Sequence, residues 1–104
     1  DLENIKVIKR PSIPENSFHN GHIDYLLLNS EDQRNSFIES MHLKGVQCVF
    51  HYIPLHNSEF GKNISRTSGD LAVTEDIAAR LVRLPVWLGI NVDKVIQSVN
   101  DTLK

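Results

Sequence analysis

His22-Ile23-Asp24-Tyr25-Leu26-Leu27-Leu28, followed directly by Asn29-Ser30-Glu31-Asp32-Gln33, sets the architecture of this chain. Ile23, Tyr25 and Leu27 alternate, and Leu26 and Leu28 make the second face apolar as well. The stretch therefore predicts a strand buried on both faces. Ser30 has the chemistry of a helix N-cap, with Gln33 three residues on as its capping-box partner. Glu31 and Asp32 fall in the first turn, where the helix dipole favours negative charge. Phe37, Ile38 and Met41 mark one face of that helix, and Gly45 suits the left-handed position that closes it. Val46 to Phe50 predicts a second strand. Strand, helix and strand within about 30 residues make one βαβ-sized unit. Spacing leaves open whether the two strands pair directly.

Outward from this unit the punctuation is clear. Leu2 to Arg10 mixes apolar and charged residues and predicts the end of a helix, broken by Pro11 and Pro14. His19-Asn20-Gly21-His22 is a turn by its Asn-Gly step. Downstream, His51 to Asp70 holds Pro54, Gly61, Gly69, Ser58, Ser65 and Ser68 and predicts a long loop, a class of segment that is usually functional or mobile. Thr74 is expected to cap a short helix, with Glu75 and Asp76 in its first turn and Ile77, Ala78, Leu81 and Val82 inward. Arg83 to Trp87 is expected to be extended, because Pro85 disfavours the helical region at Leu84. Asn91 caps a last helix, in which Val92, Val95, Ile96, Val99 and Leu103 form one stripe.

Composition limits the function classes. The chain has 104 residues, 11 Lys and Arg against 13 Asp and Glu, and a net charge of −2. That length makes one domain, and a near-neutral balance lacks the basic footprint of a nucleic-acid binder. One cysteine, Cys48, excludes a disulfide framework and a zinc site of several thiolates, and points to a reduced, cytoplasmic chain. The longest apolar runs fall far short of the roughly 18 residues a membrane-spanning helix requires. The first residue is Asp rather than Met, from which we expect a piece of a longer polypeptide.

The densest chemistry is His51-Tyr52-Ile53-Pro54-Leu55-His56, two imidazoles and a phenol around a rigid proline, just after a predicted strand. Side chains at a strand end are held firmly yet remain accessible, and His and Tyr can bond phosphate or sugar oxygens or carry protons. The alternative leaves Tyr52 and Leu55 as core and the histidines solvated. A metal site lacks a third ligand at a diagnostic spacing. Cys48 beside His51 or His56 could form a nucleophile pair, whereas its place in Val46-Gln47-Cys48-Val49-Phe50 favours a buried small hydrophobe. No GxGxxG or GxxxxGK[ST] phosphate cradle occurs. Arg66 and Lys62 place positive charge in the predicted loop.

Five segments in order resemble one family. They are Asn20-Gly21-His22 before a strand, Gly45-Val46 between helix and strand, His51 to His56, Leu71-Ala72-Val73-Thr74-Glu75, and Arg83-Leu84-Pro85-Val86. Together they look like the C-terminal part of the DegT/DnrJ/EryC1/StrS sugar aminotransferases, over roughly Ile8 to Leu103. Ala72 stands where that family commonly has proline, and Glu59-Phe60 replaces a proline-containing stretch. The resemblance implies an α/β (α+β) fold: residues 1–104 as the small C-terminal domain of a fold-type-I aminotransferase, a short sheet with helices packed on it. It implies a pyridoxal-phosphate enzyme that is homodimeric at full length, with glutamate and a nucleotide-linked sugar as substrates, and no nucleic acid or membrane partner. A lysine must hold that cofactor. None of Lys6, Lys9, Lys44, Lys62, Lys94 or Lys104 has the family's flanking sequence, so the resemblance implies that the lysine lies upstream of this region. By the same carry-over His51, Tyr52 and His56 are candidates for substrate contact, with Arg66 beside them. A competing expectation is a non-catalytic binding or dimerisation module.

Overall fold

The apolar run at Tyr25 to Leu28 is the edge of a three-stranded sheet in the computed structural model, which describes residues 9–104. Strand β1 (Asp24–Leu27) leads to helix α1 (Glu31–Leu43) and then to the two-residue β2 (Val49–Phe50). A 3₁₀ turn (Leu55–Asn57), α2 (Glu59–Ile64), α3 (Ala72–Arg80), β3 (Leu81–Leu84) and α4 (Val92–Leu103) follow. The order across the sheet is β1-β3-β2, with β3 antiparallel to both neighbours. The strand–helix–strand unit is therefore split: β1 and β2 run the same way, and the later β3 is inserted between them. The described part of the Leu2–Arg10 reading is extended, since Lys9 bridges Leu27 through two backbone hydrogen bonds. The remainder of that expected helix lies outside the described residues.

Register decides what each sheet face carries. Leu26, Val82 and Phe50 form one row, and Tyr25, Arg83 and Val49 the next. Cross-strand partners share a face, so Leu26, Leu28, Cys48 and Val82 point toward the helices. They are fully buried there with Phe37 and Met41 of α1 and Val99 of α4, and Val46 and Val95 are buried with them. A fully buried side chain of this size is worth roughly 1.5–3 kcal/mol. The opposite face carries Tyr25, Leu27, Leu81 and Arg83, all half-buried.

The helix ends follow their sequence signals. Ser30 Oγ accepts from the Gln33 amide at 3.1 Å, and Gln33 Oε1 reaches back to the Asn29 amide at 2.8 Å. At the far end of α1 the Gly45 amide donates to His42 and the Val46 amide to Met41, with Gly45 at φ 72°. That pattern is a Schellman closure, which requires the left-handed residue that glycine supplies. Asn91 Oδ1 caps α4 through the Lys94 amide at 2.9 Å, as expected. Within α4, Val92 stands exposed at the first turn rather than in the core.

Two expectations need correction. The stretch from His51 to Asp70 is not a featureless loop, because it holds the 3₁₀ turn and α2. Ser58 caps α2 through the Gly61 amide, and a Cβ at Gly61 would lie 1.8 Å from the Leu55 carbonyl oxygen. The glycine that reads as a breaker is what lets α2 fold against the 3₁₀ turn. The second correction concerns Thr74, which lies inside α3 rather than capping it. The helix begins at Ala72, whose amide donates to Asp70 Oδ1 at 3.1 Å. Ala72 thus occupies the first helical position, where proline is also favoured. The helix ends at Arg80, and Leu81 and Val82 belong to β3, where they pair with Leu27 and Leu26. Pairing with β1 outweighs the helical spacing of those two residues.

Candidate functional site

Beyond Phe50 the chain leaves the sheet, and two hollows open on either side of the next residues. Tyr52, Ile53 and Pro54 line both. The first, about 440 Å³, is polar: Glu31, Arg34 and Asn35 of α1 meet Phe50, Asn57 and Glu75. The second, about 550 Å³, is apolar: Leu55, Val73, Ile77 and Leu81 line it beside His51.

Arg34 anchors the polar hollow. It shares the inward face of α1 with Phe37 and Met41, and its side chain is only 9% exposed. Glu31 Oε1 accepts from its Nη2 at 2.8 Å, and the guanidinium lies 5.6 Å from the centre of the Phe50 ring. A cation over an aromatic face is attracted by the ring's quadrupole. Nε is buried without a partner among the described residues. On the other sheet face Arg83 stands 5.9 Å from the centre of the Tyr52 ring, and His51 meets that ring edge-on at 4.8 Å. Tyr52 is thus braced from two sides while staying exposed.

His56 faces the first turn of α3. Its Nε2 lies 3.1 Å from Glu75 Oε1, and Asn57 Nδ2 donates to the same oxygen at 3.2 Å. A carboxylate only accepts, so His56 Nε2 carries the proton in this contact. The His56 hydrogen bond, and then that of Asn57, holds the Glu75 carboxyl below its ordinary range. Together they tie the 3₁₀ turn to α3.

Of the residues singled out in the sequence, His51 and Tyr52 come together directly, and His56 joins the same segment through Glu75. Arg66 lies beyond α2, exposed, and lines neither hollow. Arg34, Asn57 and Glu75 escaped the sequence reading. Arg34 had a signal, since it stands three and seven residues before Phe37 and Met41 on the apolar stripe. Glu75 was indistinguishable from any acidic residue at a helix start. Cys48 is fully buried, and burial pushes its thiol up to about 11, as suits a packing residue and not a nucleophile. Trp87 is exposed beyond β3.

The lysines stand elsewhere. Lys44 Nζ donates to Thr102 Oγ1, Lys104 pairs with Asp101, Lys94 lies beside Gly45, and Lys62 sits on α2. No lysine lines either hollow among the described residues. Nor is any helix there long and apolar enough to cross a membrane.

This architecture recurs in solved aminotransferases. TlmJ from Streptoalloteichus hindustanus superposes over 98% of this chain with a TM-score of 0.82 at 21% identity. The sugar aminotransferase CalS13 from Micromonospora echinospora does so over 99%, with a TM-score of 0.77 at 16% identity. An uncharacterized protein of Methanocaldococcus jannaschii, MJ1066, is 30% identical over 108 residues that include all of this chain. The chain spans 28% of the length of TlmJ and of MJ1066, and 26% of CalS13. The model of the DegT/DnrJ/EryC1/StrS aminotransferase family matches residues 1–104. The chain belongs to that family.

Proposed function

We propose that this chain is the small C-terminal domain of a pyridoxal-phosphate-dependent aminotransferase, and that it supplies the sugar-facing wall of the active site. The complete enzyme would move an amino group from glutamate to the 4-keto carbon of a nucleotide-linked 6-deoxysugar, for surface-polysaccharide synthesis. Within the family the fuller His-Tyr-Ile-Pro-Leu-His segment is most like that of the dTDP-4-amino-4,6-dideoxygalactose transaminases. The observation that carries the division of labour is the make-up of the two hollows: imidazole, phenol, amide, carboxylate and guanidinium groups beside apolar walls, with no lysine among the described residues. Such a surface does not fit covalent capture of pyridoxal phosphate, which needs an amine. It does fit hydrogen bonding to a hydroxylated substrate.

His51 and Tyr52 would touch the sugar or its linked phosphate, and His56 would act by fixing Glu75 and the 3₁₀ turn. The family match along the whole chain supports this reading, as does the likeness to CalS13. The test is a visible spectrum of the complete protein with pyridoxal phosphate, before and after glutamate. A cofactor absorbance band that collapses on glutamate supports an aminotransferase with that donor. A folded protein with no band overturns the proposal.

A further inference from the structure

Glu75 carries an oxygen that the fold does not use. Both hydrogen bonds to its carboxylate, from His56 and Asn57, end on Oε1. Oε2 has no hydrogen-bond partner among the described residues, and the side chain, 51% exposed, lines the polar hollow. The double contact fixes the carboxylate plane, and the same contacts keep it ionised. Glu31, the other carboxylate of this hollow, is held through Oε1 by Arg34 alone, against the two donors that fix Glu75.

What surrounds Oε2 narrows the ligand. Asn35 offers an amide with both a donor and an acceptor, Tyr52 offers a phenol, and the half-exposed Phe50 ring offers a flat apolar face. The Arg34 guanidinium near that ring is nine-tenths buried, paired with Glu31 and left with an unpartnered Nε among the described residues, so a donor already stands in this wall. A free carboxylate oxygen beside an amide and an aromatic face matches neighbouring hydroxyls on a ring whose C–H face is apolar. It does not match a phosphate, which two carboxylates would repel.

We infer that Glu75 is a ligand-binding residue, its Oε2 accepting a hydrogen bond from a sugar hydroxyl seated among Asn35, Phe50 and Tyr52. This deepens the proposed function and rests on it. A carboxylate acceptor fixed in place discriminates by stereochemistry: an O–H aimed at it gains a charge-assisted bond, and an epimer or deoxy sugar leaves it unpaired. Glu75 would therefore set which hydroxyl pattern the enzyme accepts.

The competing account makes Glu75 a clamp for the 3₁₀ turn and nothing more. Glu75→Gln separates the two, because glutamine keeps a carbonyl oxygen for His56 and Asn57 but places an NH₂ group where Oε2 was. The experiment uses the complete enzyme with dTDP-4-keto-6-deoxyglucose as probe, recording KM, kcat, cofactor absorbance and thermal midpoint. The expected result is a KM raised about tenfold or more, the scale of one lost charge-assisted bond, with kcat, absorbance and midpoint held. Glu75→Asp, which keeps the charge but withdraws it, should raise KM as well. An unchanged KM in both variants, with the wild type turning the sugar over, overturns the inference alone. So does a KM rise that tracks a fallen midpoint in Glu75→Gln and vanishes in Glu75→Asp. A wild type that is loaded with cofactor and glutamate but ignores the sugar overturns the proposed function and this inference with it.

Discussion

Met41 and Val99 are wholly buried, whereas Tyr52, Leu55 and Val73, also largely apolar, are 66%, 85% and 78% exposed. The first pair belongs to a closed layer, in which the inward faces of α1 and α4 cover one face of the sheet. The second group belongs to the segment from His51 to Glu75, where short elements fold against each other and leave apolar and polar surface uncovered. Contiguous exposed apolar surface of this kind marks a contact site more than a folding device. The closed layer and the uncovered surface thus occupy separate parts of this small chain, and under the proposed function the second is where the substrate is met. They meet at Arg34 and Phe50, where the core runs out into the polar hollow.

If that separation holds, substitutions on the two sides should differ in kind. Phe37→Ala removes a ring buried among the residues of the core and should cost about 3–5 kcal/mol. Tyr52→Ala should change stability by no more than about 0.5 kcal/mol, the usual range for an exposed position. Chemical denaturation of both variants checks this, and equal losses would break the comparison.

Gly61→Ala sharpens it. A methyl group there would strike the Leu55 carbonyl, so α2 must move away from the 3₁₀ turn. We expect a loss of about 1–3 kcal/mol, as for overpacked sites, felt first in amide exchange of α2 and the 3₁₀ turn and not in α1 or α4. A loss spread evenly over all four helices would show that the two regions are one cooperative unit.

The smallest effect is one of pH. The Glu75 carboxyl is lowered in the folded chain, chiefly by the His56 hydrogen bond, and Asp76 is lowered by Arg80. A lowered folded value means that each carboxylate contributes stability above the ordinary carboxylate range. That contribution is lost as pH falls through the lowered folded values. Both groups are exposed, so solvent screens the effect. In Glu75→Gln the acid limb of the stability profile should flatten slightly, and an unchanged limb would mean that the His56 contact does not form in solution.

Much of the frame was legible in the sequence because its signals are local. Ser30, Gly45 and Asn91 each satisfy backbone groups within a few residues, and the helical spacing of Phe37 and Met41 needs no partner to be seen. What stayed hidden was set by distant contacts. The place of β3 between β1 and β2 depends on Leu81 and Val82 finding Leu27 and Leu26 more than fifty residues back. The six-residue α2 depends on a glycine packed against a carbonyl. His51, Tyr52 and His56 were visible as unusual chemistry after a strand, but Glu75 gains its place through His56 and Asn57, nineteen and eighteen residues away.

The proposed function has this domain serve the sugar and leaves the cofactor to the rest of the enzyme. It is tested most directly by His51→Ala in the complete enzyme, following sugar turnover and pyridoxal phosphate retention in one preparation. Turnover of the nucleotide sugar should fall by at least about tenfold, the scale of one substrate contact, while cofactor retention stays at the wild-type level. Loss of both to the same degree would contradict it.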